Sequence, residues 1–180
     1  AFGGAKNFRP PQTFRLLGAM GMTEPYEDLI FCPKTLIAEV HSWAMGAGLQ
    51  FVMCCDLAVA AESAHFSHAE QRIGFAGLEP GTLMLTLLTV GPKRTREWLL
   101  SGRDLSAKEA YEWGVVNSVV PDDQLADEAL RWARMVALHS ADGLMIGKAY
   151  FRLCYEALGM SQATSSGPLA QALFQNLKWR

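Results

Sequence analysis

The spacing of apolar residues changes character along the chain, and each change predicts an element. "KTLIAEV" (Lys34 to Val40) is a short apolar run with β-branched residues and reads as a buried strand. From Gly48 to Cys55 the pattern is apolar on all sides, which predicts a buried helix. "DLAVAA" and "AHFS" then read as two short strands. Strand, small-residue turn, helix and strand therefore recur, which points to α/β layering. Ahead of this unit, residues 10–30 carry Pro, Met and Gly, a weak helical pattern, and acids at Glu24, Glu27 and Asp28.

The second half is mostly helical in pattern. Residues 81–90 form an apolar helix candidate after Pro80, and "PKRTREWLLSG" reads as a helix ending at Gly102. In "SAKEAYEWG", Ser106 and Glu109 form the S-x-x-E capping box, and Gly114 stands at the C-cap. "VVNSVV" is then a strand. After Pro121, residues Leu125, Ala129, Trp132, Ala133 and Val136 share one helical face. Two further helical patterns cover roughly 143–158 and 168–178, with a Ser/Thr/Gly joint at 161–167. The expected organisation is an α/β core over 1–120 and a helical C-terminal region over 121–180. There is no internal repeat and no low-complexity segment.

Composition narrows the partners. The chain has 180 residues, half of them apolar, and a net charge of −2. No basic block or Lys/Arg-aromatic interleaving suggests nucleic acid. The uncharged run Val40 to Cys55 is too short and too polar to span a bilayer. Cys32, Cys54, Cys55 and Cys154 show no metal spacing, and the adjacent pair cannot readily bridge. They read as small apolar residues in a reducing compartment, and a cytoplasmic protein is expected. No metal or redox cofactor is implied.

Candidate chemistry gathers in "SWAMGAGLQFVMCCDLAVAAESAHFSHAEQRIGFAGLEPGT" (Ser42 to Thr82). Small residues at a strand-to-helix turn let a ligand approach the backbone. The first N–H groups of a helix have no internal partner and attract negative charge. "AMGAGLQ" therefore supplies the parts of an oxyanion hole, or it merely permits close packing; the residues alone leave both open. "AFGGA" is a second small-residue loop. Glu70 and Glu79 are either proton carriers in an apolar surround or solvated loop carboxylates. If the chain is a strand there, His68 lies on the same face as Glu70. His41, His65 and His139 have no acid–base partner by spacing.

These motifs together resemble the crotonase superfamily, the enoyl-CoA hydratase/isomerase family. Its pattern runs "A-F-x-A-G-A-D", then "K-P-x-I-A-A-V-N-G-x-A-x-G-G-G-x-E", then "C-D-x-x-x-A-x-x-x-A-x-F-x-x-P-E". Here the chain reads "AFGGAK", "PKTLIAEVHSWAMGAGLQ" and "CCDLAVAAESAHFSHAE". "LSGRDLSAKEAYEWGVVNSVVP" is similar to the later "L-T-G-x-x-x-S-A-x-E-A-x-x-x-G-L-V-x-x-V-V-P". The likeness runs over most of residues 1–150. It implies a spiral of ββα turns, a helical trimerisation region, and a homotrimer or hexamer. It implies an acyl-CoA thioester substrate, so coenzyme A enters as part of the substrate. Backbone N–H groups of Gly3 and Ala47 would hold the thioester oxygen as an enolate forms, with Gly4, Ala5, Gly46 and His68 lining the substrate.

Departures from the pattern shape the expected chemistry. The family's first strands precede its "AF" loop, and a helix follows the point where this sequence stops. A fragment is therefore expected to expose an unpaired sheet edge. Lys6 replaces the usual Asp, and "HSW" replaces Asn-Gly-aromatic. Gln50 stands where hydratases carry their first catalytic Glu, and an amide cannot exchange a proton at neutral pH. Glu70 matches the second catalytic Glu. Glu79, in "EPGTL", resembles the acid of "D-V-G-T-L" in dienoyl-CoA isomerases, and the carbon–carbon-bond-hydrolysing branch has an Asp in that loop. Three functions follow: isomerisation or hydration with Glu70 moving the proton and Glu79 assisting; retro-Claisen hydrolysis of a β-diketone or β-keto thioester; or acyl-CoA binding without catalysis.

Overall fold

The computed structural model describes residues 11–73 and 82–174. Its centre is built from small residues. The strand β3 (Leu57–Ala61) is almost wholly buried, and its run of alanines admits neighbours on both faces. Beside it lies β1 (Ile37–Val40), parallel, with Ile37 opposite Leu57 and Val40 opposite Ala60. On the other side β6 (Ser118–Val120) pairs in parallel, Ala60 opposite Val119. A second sheet of three strands runs β2 (Trp43–Met45), β4 (His65–Ser67), β5 (Leu105–Ser106). There β2 and β4 are parallel, and β4 and β5 antiparallel.

The chain alternates between these sheets and then enters a helix. β1, β2 and α2 (Ala47–Cys54) make one such ββα turn; β3, β4 and α3 (Leu83–Ser101) make the next. This is the expected spiral. β2 and β5 are strands that the residue pattern did not predict. "HSW" reads as polar, and only pairing with β4 makes Trp43 to Met45 extended. β4 ends at Ser67, and Ala69–Ile73 forms a 3-10 turn. His68 and Glu70 are thus not two positions on one face of a strand.

The helices follow local chemistry more closely. Gly102 closes α3 in the left-handed region at φ 64°, donating its N–H to Trp98 O. Within α3, Gly91 at φ 77° breaks the helical path, and Pro92 starts the second segment, so the two expected helices meet at a kink. α4 (Ala107–Glu112) carries the expected capping box. Ser106 Oγ accepts the Glu109 N–H, and the Glu109 carboxylate accepts from the Ser106 N–H. Those Ser106 bonds, with the Arg103 guanidinium, hold the Glu109 carboxyl down at about 2. Arg94 and Arg103 lie over Trp113, at 5.2 and 4.9 Å from the ring centre.

α5 (Leu125–Ala137) covers the first sheet, where Leu125 and Ala129 pack with Val59 and Ala61. α6 (Ala141–Ala157) buries no residue fully, and Lys148 ties it to Asp56 by an ion pair. α7 (Met160–Phe174) packs against α1 (Gln12–Ile30), whose weak pattern becomes a helix through that contact. The expected joint at 161–167 lies inside α7. The hydroxyls of Thr164, Ser165 and Ser166 bond back to carbonyls of the preceding turn, so they find partners without leaving the helix. The break falls instead at Gly159, φ 83°.

Candidate functional site

The site forms where α2 begins. β2 delivers Met45 opposite Ser67, and the next residue, Gly46, donates its N–H to Ser67 O at 3.0 Å. Gly46 then turns at φ 54° and ψ −121°, a conformation open to glycine and costly for other residues. Its C=O accepts the Gln50 N–H at 3.0 Å, starting the helix. Ala47 and Gly48 stand in the first turn, where N–H groups have no intrahelical acceptor. They face the positive end of the peptide dipoles.

Glu70 comes to this helix start from the 3-10 turn after β4. A Cβ placed on Gly46 would sit 3.3 Å from Glu70 Oε1, so the missing side chain is what lets the carboxylate approach. Gln50, one turn into α2 and 4% exposed, donates Nε2–H to the same oxygen at 3.0 Å. Oε2 of Glu70 is shielded from solvent and meets no hydrogen-bond partner among the described residues. Among the described residues the arrangement therefore joins a neutral amide, one carboxylate and a helix N-terminus.

His68, expected to line the substrate, is fully shielded. Its ring meets Trp98 edge-on at 4.4 Å between centres. Burial pushes its pKa down to about 4, so the ring is neutral at pH 7. Nothing in the spacing of residues 68 and 98 announces this contact; α3 has to fold back over β4 to make it. Gly3, Gly4, Ala5, Lys6 and Glu79 lie outside the described residues. A groove of 540 Å³ lies apart from the site, between α1 and α7, lined by Leu16, Met20, Glu24, Pro168 and Leu169. Among the described residues no three His, Cys, Asp or Glu side chains gather as metal ligands, and no helix is long and apolar enough to cross a membrane.

Comparison with known proteins agrees with the fold. A family model described as enoyl-CoA hydratase/isomerase matches residues 17–178. The chain is 38% identical over 117 residues to the mevalonyl-coenzyme A hydratase SIDH of Beauveria bassiana, covering 64% of this chain and 41% of that protein. It is 34% identical over 148 residues to the human mitochondrial enoyl-CoA hydratase domain-containing protein 3, covering 82% of this chain and 47% of that protein. The chain spans about half the length of the curated relatives it matches. In fold it superposes on the crystal structure of an enoyl-CoA hydratase/isomerase-like protein from Novosphingobium aromaticivorans with TM-score 0.82 at 24% identity, covering 93% of this chain and 61% of that one.

Two measurements test this geometry. Gly46→Ala places a side chain in a glycine conformation and against Glu70, and is expected to lower stability by about 2 kcal/mol in denaturant unfolding. The depressed pKa of His68 means that the unfolded chain binds a proton that the folded chain refuses. Its contribution to stability is therefore whole above pH 6.5 and is lost as pH falls from 6.5 to about 4. The loss is expected to reach roughly 3 kcal/mol at the lower end. A His68→Phe chain, titrated in parallel by denaturant unfolding, is expected to lack that part of the decline.

Proposed function

The chain belongs to the enoyl-CoA hydratase/isomerase family, and on that premise we propose that it processes an acyl-CoA thioester with Glu70 as the proton carrier. The observation that carries the reading is the Gln50–Glu70 hydrogen bond. An amide orients its neighbour but neither accepts nor releases a proton at neutral pH. One carboxylate held in this way suits a reaction in which one proton leaves carbon and returns to carbon. Two-carboxylate water addition suits it less.

In the proposed sequence, the substrate's thioester oxygen lies at the start of α2 and accepts from Ala47 N–H, with Gly3 N–H as the expected second donor. The Glu70 carboxylate removes a proton from the carbon beside the thioester or from the next allylic carbon. The C–H bond breaks, an O–H bond forms on Glu70, and the electron pair moves to the thioester oxygen as an enolate. Collapse of the enolate takes the proton back from Glu70 at the other end of the three-carbon unit, so the double bond shifts and the enzyme is regenerated. Gln50 keeps the carboxylate oriented through both steps. Glu79 assists in this scheme as a second acid from the following loop. The exposed apolar side chains Met145, Ile146, Tyr150 and Phe151 of α6 fit burial against further copies of the chain, in a trimer or a dimer of trimers.

Retro-Claisen hydrolysis of a β-diketone or β-keto thioester would call on His68, beside Glu70 in sequence, as a further active group. A ring with no exposed surface does not favour that reading over proton transfer.

The test is a panel of 2-enoyl- and 3-enoyl-CoA thioesters in deuterated water, using the full-length protein. Double-bond migration or deuterium uptake at carbon is expected, and Glu70→Gln is expected to lower it by about 10²–10⁴. Turnover unaffected by Glu70→Gln, or no change in any thioester, overturns the proposal. Gln50→Glu is expected to raise the rate of water addition relative to isomerisation, measured as hydroxyacyl-CoA formed. A ratio unchanged from the parent chain counts against the amide at position 50 as what favours isomerisation over water addition.

A further inference from the structure

His68 lies two residues before the proposed proton carrier and has no part in the mechanism. It is fully buried, yet both ring nitrogens lack a hydrogen-bond partner among the described residues. Two more shielded polar atoms lack a hydrogen-bond partner among the described residues: Nε1 of Trp98, whose ring packs on His68, and Oε2 of Glu70, two residues along the chain from His68. His68, Trp98 and Glu70 thus present four buried polar atoms without partners among the described residues. Buried polar groups in folded proteins are almost always paired, and ordered water closes the sets that side chains leave open.

The chemistry of this set is complementary. The Trp98 indole only donates, the Glu70 carboxylate only accepts, and a neutral imidazole does one of each. Burial keeps His68 in that neutral form. Trp98 fixes the ring plane by edge contact at 75° between the two rings. The His68 ring also has no exposed surface through which a substrate could reach it. A residue that merely filled space here would be apolar, because leaving an imidazole unpaired in the interior is destabilising.

We propose that His68 is a positioning residue for Glu70, linked through a buried water to Oε2 of the carboxylate. Gln50 then holds one carboxylate oxygen and His68 the other. The carboxylate plane is fixed at both ends while the base itself stays free to take a proton from carbon. This rests on the reading of Glu70 as proton carrier.

Two kinds of measurement on the full-length protein test it. His68→Phe keeps a ring against Trp98 and removes both nitrogens; His68→Gln keeps a donor and an acceptor. With the best thioester of the panel, His68→Phe is expected to lower kcat ~10-fold or more with KM unchanged, because a loosened base is misplaced on bound substrate. His68→Gln is expected to recover most of the rate. Wild-type kcat in His68→Phe overturns the proposal. So does an equal loss in both variants with falling thermal stability, which reads as packing alone. Glu70→Gln separates the two ideas: if it abolishes turnover while His68→Phe is unaffected, only the positioning role fails. If Glu70→Gln is fully active, the reading beneath it fails too. Independently of activity, ¹⁵N-histidine NMR reads the ring, assigned by the signal missing in His68→Phe. A neutral imidazole whose ring proton cross-relaxes with a long-lived water is expected. Cross-relaxation with a protein side chain and not with water overturns the link.

Discussion

Parallel pairing of β2 with β4 puts Met45 opposite Ser67, and the geometry of the site follows from that register. With Met45 fixed there, Gly46 N–H meets Ser67 O, the chain turns through a glycine conformation, and α2 starts within reach of Glu70. A slip of one residue would turn the side chains of β2 to the opposite faces, since they alternate along a strand, and would take Gly46 N–H away from Ser67 O. The burial of Phe66 between its neighbours resists such a slip, because moving it outward would expose a large apolar ring. The hydrophobic core therefore sets the alignment, and the polar site inherits it.

The replacement of acid by amide at Gln50 changes what the interior must tolerate. Two carboxylates sharing this position, one nearly buried, would repel unless one kept its proton. An amide donating to a carboxylate removes that conflict and keeps the neighbour in place. The price is one fewer titratable group. His68 cannot charge at pH 7, Trp98 is fully shielded, and the ion pairs of Arg103 with Glu97 and Glu109 lie at the partly exposed ends of α3 and α4. The charged networks secure helix ends, and the site depends on hydrogen bonds and dipoles.

Much of this was legible in the residues. The capping box at Ser106 and Glu109, the left-handed Gly102 and the buried helix after Gly46 are local features, decided by nearest neighbours and hydrogen bonds within one turn. The residue pattern pointed to α/β layering, and the resemblance of its motifs to the crotonase family implied the ββα spiral. Less legible were β2 and β5, whose polar or two-residue segments become strands only by pairing with β4. The Ser/Thr stretch of α7 read as a joint because propensity is weak evidence against a packed helix whose hydroxyls bond to their own backbone.

The sequence by itself determined the family, the α/β layering and the identity of the proton carrier candidates, since these depend on residue type and spacing along the chain. It also determined that position 50 carries no exchangeable proton, which is a property of the amide alone. Only the tertiary structure decided that Gln50 and Glu70, twenty residues apart, share a hydrogen bond. It alone decided that His68 is sealed against Trp98, thirty residues away, and not open to a ligand. The physical reason is the same in both cases. Contacts between distant residues are set by strand register and helix packing, which minimise exposed apolar surface over the whole chain, and no local pattern encodes that sum.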